Sequence, residues 1–295
     1  MSRTDLLAIL AGTTSGILVG AAMVASKFVI AETEPASLAL WRYSIGTLGL
    51  LLPWFLMRRI PFERRDLLPI ALLGIGQFGI LIALLNYGLQ YISSGLGALL
   101  FATFPMMTML LAATLRLEAL TLAKSAGVLL GIVGVGLAVS HNLSLLHEGT
   151  GFWPGVVAVL ASALTGAICS VFYRPYLKKY PPLQVSVFAM MASVLFLALP
   201  AAHEGIFDQW PAFSLPGWFA VLFIGLASSL GYYTWLYALK HATPTRVALF
   251  LSLGPVVATA LGGVLLGEVI TPLFLAGLAL VVAGLWIAHR PDNKI

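Results

Sequence analysis

The chain has 295 residues, 60% of them hydrophobic and only 9% charged, with a formal net charge of +5. A soluble domain carries about 25% charged residues, so this composition excludes a surface that faces mainly water. The single cysteine, Cys169, excludes a disulfide framework and a multi-cysteine metal site.

Apolar runs of about 20 residues, each able to cross a hydrocarbon core about 30 Å thick, recur along the whole chain. Ten spans are predicted: Leu6 to Val29, Ala36 to Met57, Leu67 to Gln90, Ser93 to Leu115, Leu122 to Ser140, Phe152 to Tyr173, Leu183 to Ala202, Pro216 to Leu239, Pro244 to Leu266 and Pro272 to Ala288. The first is too long for the 7–15-residue core of a secretory signal and is read as a helix. If the amino terminus is placed in the cytoplasm, 14 of the 16 Lys and Arg residues fall at the cytoplasmic face. None falls in an outer loop, where Glu32, Glu34, Glu148, Glu204, Asp208 and Glu268 lie instead. This one-sided distribution predicts ten spans with both termini inside. It also accounts for the positive charge without nucleic acid.

Span one carries Gly12, Gly16 and Gly20, a smooth stripe on which another helix can pack closely. Lys27, toward its outer end, either reaches the headgroups or pairs with Glu32 or Glu34, or else faces a cavity and attracts a carboxylate or phosphate. Span two opens with Trp41-Arg42-Tyr43. Arg42 is roughly 9 Å inside its helix at 1.5 Å per residue. A cation at that depth faces protein or a wet cavity. It either ties span two to a neighbour or lines the anion side of a site. Trp41 and Tyr43 read as interface aromatics. The Arg58 to Arg65 loop reads as an anchor beside anionic lipid. In span three an unpaired Gln77 amide would be costly at mid-membrane, so it bonds another helix or faces the cavity. Asn86 and Gln90, one turn apart, are expected to bind water or the next loop.

Pro105 and Pro255 stand at the centres of spans four and nine. Each denies a donor to the carbonyl four residues earlier, Phe101 or Leu251, and predicts a kink. Such kinks suit hinges, or only shape the bundle. Glu118 and Glu268 close their helices, and Thr121 and Thr271 read as caps of the next, with Pro272 at a first helical position. Span six offers Thr165, Cys169 and Tyr173 on one face. Span eight holds Ser228, Ser229, Tyr232, Tyr233, Trp235 and Tyr237, the densest aromatic cluster in the chain, on which a flat ligand could stack.

The chain also contains one stretch twice. Tyr87, Pro105, Glu118, Thr121, Gly127 and Gly134 recur as Tyr237, Pro255, Glu268, Thr271, Gly277 and Gly284, each 150 residues on. This implies a duplicated unit, residues 1–145 and 146–295. Five spans per unit is an odd number, so the second unit is inverted relative to the first. Inverted repeats are a feature of secondary transporters, with the binding site at mid-membrane between the halves.

The segments Leu-Gln-Tyr-Ile-Ser-Ser-Gly-Leu-Gly-Ala-Leu-Leu and Leu-Lys-His-Ala-Thr-Pro-Thr-Arg-Val-Ala-Leu-Phe are each followed by a mid-span proline, a Glu-x-x-Thr turn and a glycine-rich span. They resemble the two EamA-type domains of the drug/metabolite transporter superfamily. The resemblance implies ten helices, a central cavity and alternating access, with amino acids, other metabolites or drugs as cargo.

These readings converge on an all-α integral membrane protein of the bacterial inner membrane, working as a monomer. It would export small polar metabolites, amino acids and especially aromatic ones, with no cofactor or metal. Lys27, Arg42, Gln77, Thr165, Cys169, Ser228, Tyr232, Tyr233 and Trp235 are the expected substrate-binding residues. The alternative is a proton-coupled multidrug exporter of lipophilic cations. That chemistry usually needs a membrane-embedded carboxylate, and no Asp or Glu stands at the middle of any span. An enzyme is not expected, because no nucleophile–His–acid set appears at usable spacing.

Overall fold

The computed structural model of the protein describes residues 3–57, 60–117, 121–143, 151–208, 213–241, 247, 250 and 253–288. Every regular element among them is helical. The order is α1 (Arg3–Val29), α2 (Pro35–Leu56), α3 (Arg64–Gly74), a π-helix (Ile75–Ile80), α4 (Leu81–Tyr91), α5 (Ser94–Phe101), α6 (Phe104–Thr114), α7 (Leu122–Leu143), α8 (Phe152–Lys179), α9 (Pro182–His203), α10 (Leu215–His241), α11 (Leu253–Leu266) and α12 (Pro272–Ala288). Among the described residues seven helical stretches are long and apolar enough to cross a membrane. The helices α11 and α12 are apolar but shorter. Large apolar side chains such as Leu195 (75% exposed) and Leu199 (68% exposed) point outward, as expected where the surrounding solvent is lipid.

Local chemistry sets the helix boundaries. The Ser93 hydroxyl accepts from the Leu96 amide at the start of α5. Thr121 accepts from the Lys124 amide and Thr271 from the Phe274 amide, opening α7 and α12. Pro272 starts α12, where a missing N–H removes nothing. Glu118 lies outside the described residues, as do Arg58, Arg59, Glu148 and Leu251.

Glycine decides which helices touch. A Cβ on Gly16 would collide with the Phe250 carbonyl oxygen, and one on Gly20 with that of Gly254, so the stripe on α1 packs directly on the backbone of Phe250 and of the start of α11 as described. In the same way Gly134 meets Gly277, and Gly127 meets Gly284, along α7 and α12. In Ser94–Thr114, 78% of the most apolar window is buried, against 33% in Leu122–Val139. The pair α5–α6 is therefore central, and α7 lies at the periphery.

Pro105 does not kink a continuous helix. The helix stops at Phe101 and restarts at Phe104, with Pro105 in the first turn of α6. A proline fits there because its nitrogen has no proton to leave unpaired. The connecting Thr103 bonds back to the Leu100 carbonyl through both its amide (3.1 Å) and its hydroxyl (2.7 Å). Pro255 is the third described residue of α11, and Leu251 and Ser252 before it lie outside the described residues.

At the end of the bundle where α1, α4 and α9 finish, carboxylates hold the starts of other helices. Glu268 accepts from the Ser94 amide (2.6 Å), the Ser94 hydroxyl (2.8 Å) and the Gly95 amide (3.1 Å), and so caps α5. Glu204 caps α2 through the Ala36 and Ser37 amides. Glu32 bonds Ser214 just before α10. Each carboxylate meets a helix N-terminus, where the partial charge is positive. At the opposite end the Tyr180 hydroxyl donates to Asp66 (2.8 Å) and accepts from the Glu63 amide (3.0 Å), while burial pushes its phenol pKa up. Lys179 pairs with Asp66 at 2.9 Å. The Gln184 amide clasps both backbone groups of Ile60.

Candidate functional site

A cavity of about 90 Å³ lies between α1, α2, the π-helix, α4, the α5–α6 break and α10. Its volume is small beside the roughly 300–1,000 Å³ of ordinary ligand pockets, so a metabolite would fit only if the walls part. Most of the lining is apolar, with Leu18, Met23, Leu81, Ile82, Leu85 and Phe104 among the contributors. Its polar groups are few: Ser15, Arg42, Tyr43, Gln77, Ser228, Tyr232 and Trp235.

Arg42 is the charge in this cavity. It is 7% exposed, and its Nε donates to the Ser228 hydroxyl at 2.5 Å. Ser228 in turn donates to the Ile224 carbonyl one turn back on α10, which fixes the direction of its lone pair toward Arg42. The guanidinium carbon lies 5.6 Å from the Tyr43 ring centroid. Among the described residues no carboxylate pairs with Arg42, and none accepts from its remaining N–H groups. A buried cation left in that condition is costly, so a ligand anion in the cavity would relieve the cost.

The aromatic wall is continuous. Tyr43 packs edge-on against Phe78 (4.8 Å), Phe78 against Tyr232 (4.2 Å), and Tyr232 lies 5.3 Å from Trp235 at a 31° tilt. Tyr43, read from sequence as an interface aromatic, is 3% exposed and lines this wall. Trp41, its neighbour, packs instead against Trp218 at 5.5 Å. Across the cavity Gln77 stands on the π-helix, and its Oε1 is buried with no hydrogen-bond partner among the described residues. A π-helix is a frequent local distortion at functional sites; here it redirects the strip of helix that carries Gln77.

The structure thus brings together five of the nine residues selected from sequence: Arg42, Gln77, Ser228, Tyr232 and Trp235. The other four lie elsewhere. Lys27 contacts neither Glu32 nor Glu34; its Nζ donates to the Leu89 carbonyl at 2.7 Å, tying α1 to the end of α4. Thr165 spends its hydroxyl on the Ala161 carbonyl. The Cys169 thiol points at the Leu73 carbonyl, 3.6 Å away, and packs behind the π-helix where Gly76 leaves room. Tyr233 is partly exposed on the other side of α10. The Asn86 side-chain amide donates to the Pro35 carbonyl (3.0 Å), at the start of α2. Ser15, Phe78 and Phe104 line the cavity and were missed. Ser15 is the residue before Gly16, and nothing in its local pattern marks it out.

Comparison with known proteins places this geometry in context. The model of the EamA-like transporter family matches residues 6–140 and again 153–289. A protein from Archaeoglobus fulgidus described as an uncharacterized transporter is 28% identical over 92% of this chain and 94% of its own length. A probable terminal-alkyne amino-acid exporter from Streptantibioticus cattleyicolor is 34% identical over 77% of this chain and 74% of its own. A probable amino-acid metabolite efflux pump from Salmonella typhimurium is 29% identical over 77% of this chain and 79% of its own. One solved crystal structure shares the fold, with a TM-score of 0.73 at 23% identity, covering 98% of this chain and 97% of the other.

Proposed function

The chain belongs to the EamA-like transporter family, and from that premise we propose that it exports small polar metabolites, amino acids and aromatic ones foremost, by alternating access. The observation that carries the reading is Arg42: a buried cation with no acidic partner among the described residues, facing a mostly apolar cavity with an aromatic wall. A carboxylate supplies the missing counter-charge, and an aromatic side chain suits the wall of Tyr43, Phe78, Tyr232 and Trp235. The names of two relatives, an amino-acid exporter and an amino-acid metabolite efflux pump, support the same class of cargo. An exporter of lipophilic cations fits less well, since among the described residues no Asp or Glu lines the cavity.

In this reading the chain forms ten spans in two inverted units, residues 1–145 and 146–295, with both termini in the cytoplasm of a bacterial cell and the protein acting as a monomer. The glycine contacts support the inversion. Gly127 meets Gly284 and Gly134 meets Gly277, so each glycine packs on the counterpart of the other pair's partner. That is the contact pattern of two copies related by a twofold axis. The break before Pro105 serves as a joint about which the walls separate, with Pro255 as its counterpart in the second unit.

The test is counterflow in proteoliposomes loaded with unlabelled amino acids, following entry of labelled phenylalanine. The wild type should accumulate label, and Arg42→Ala should abolish accumulation while eluting as a monodisperse protein. Uptake by Arg42→Ala equal to wild type would remove Arg42 from the site.

A further inference from the structure

The cavity has a group for a carboxylate, but among the described residues no acid to receive an ammonium group. A zwitterionic cargo held by Arg42 alone would bring a second positive charge into the same apolar space, which is unfavourable unless an acceptor meets it. Two acceptors are positioned to do so. The first is Gln77 Oε1, buried and without a hydrogen bond among the described residues. Leaving such an acceptor unmet costs roughly 1–3 kcal/mol. The second is the carbonyl of Phe101, a residue that lines the same cavity. Its helical donor would be the nitrogen of residue 105, and a proline there has no proton to give. Gln77 stands on the π-helix, and the α5–α6 break ends the helix at Phe101.

We propose that Gln77, assisted by the Phe101 carbonyl, receives the ammonium group of the cargo and makes the cavity selective for an α-amino acid over the same acid lacking its amine. This rests on the reading that Arg42 binds the carboxylate. The division of labour has a physical logic. A neutral amide oxygen accepts from an ammonium without competing with the cargo carboxylate for the guanidinium.

The experiment is competition against labelled phenylalanine counterflow, with unlabelled phenylalanine and 3-phenylpropionate as the two competitors. Wild type should favour phenylalanine by about tenfold or more, the size expected for a hydrogen bond to a charged group. Gln77→Met should bring the two competitors close to parity by weakening phenylalanine alone. Gln77→Glu should widen the preference, and it decides the matter if Gln77→Met does not assemble. An unchanged preference in either variant overturns the proposal, as does an equal loss of both competitors, which would mark Gln77 as packing. Equal competition by both compounds in the wild type would overturn it too while leaving Arg42 as the carboxylate group. A wild type that responds to neither compound would sink the amino-acid reading and this proposal together.

Discussion

Removing the carboxylate of Glu268 should loosen the contact between the start of α5 and the end of α11. Its two oxygens accept two amide protons and one hydroxyl proton from Ser94 and Gly95, at 2.6, 2.8 and 3.1 Å. Those amides open α5, part of the most buried stretch in the bundle, and Ser94 itself is fully buried. In Glu268→Ala they have no helical partner to fall back on, because the first amides of a helix never do. Hydrogen bonds to charged groups contribute about 1.5–3 kcal/mol each. Some of this is shared between the two groups of Ser94, and water reaches the half-buried glutamate, so a total loss of about 2–4 kcal/mol is expected by comparison with other broken buried charge contacts. Glu268→Gln keeps an acceptor and loses the charge, and should cost about 1–2 kcal/mol. The assay is reversible unfolding in mixed micelles by titration with SDS, followed by tryptophan fluorescence. The graded order wild type, Gln, Ala is the signature. If Glu268→Ala unfolds at the same SDS fraction as wild type, the carboxylate contributes nothing and the capping argument fails.

Other perturbations test separate links. Gly134→Leu places a side chain where a Cβ already lies 2.6 Å from the Gly277 carbonyl oxygen; it should cost at least the 1–3 kcal/mol typical of overpacking, seen as a lower apparent melting temperature in detergent. Gly136→Leu, on the same helix with open space around its Cβ position, should be nearly silent in the same measurement. Tyr180→Phe removes one donor and one acceptor from the Asp66–Glu63 strap; about 1–2 kcal/mol of stability should go with them in SDS titration. Pro105→Ala restores a donor for the Phe101 carbonyl and should stiffen the joint, slowing counterflow turnover by about threefold to tenfold at similar substrate affinity. An unchanged rate there would make the break a static feature.

The solvent class, the helical content and the family were all legible in the sequence. Each depends on local or near-local pattern. A run of about 20 apolar residues declares a membrane helix wherever it stands, so the predicted Leu183 to Ala202 appears as Pro182–His203 and Pro272 to Ala288 appears unchanged. Capping is equally local, which is why Thr271 reads correctly from the three residues that follow it. Gly12, Gly16 and Gly20 reveal a close approach because small size acts through the helix that bears them, although the partner, the backbone around Phe250 and Gly254, is not visible without the fold.

The cavity depended on information of another kind. In a soluble helix the polar face points to water, so the sequence tells inside from outside. In lipid both faces of a helix are apolar, and hydropathy no longer says which one meets a neighbour. Thr165 and Cys169 sit on a plausible polar stripe, yet α8 turns that stripe against the back of the π-helix. Tyr43 carries every mark of an interface aromatic until α2 is rotated by its contact with α10, where Arg42 and Ser228 meet. The π-helix is a tertiary decision as well, since one extra residue per turn is favoured only when packing against Cys169 and Tyr232 repays the poorer hydrogen bonding. What the sequence by itself determined was the all-helical, membrane-spanning class of the chain and the position of most apolar helices. Their rotation about their own axes, and with it the identity of the cavity, was decided by glycine-to-backbone contacts and by a handful of long-range hydrogen bonds such as Arg42 to Ser228 and Glu268 to Ser94.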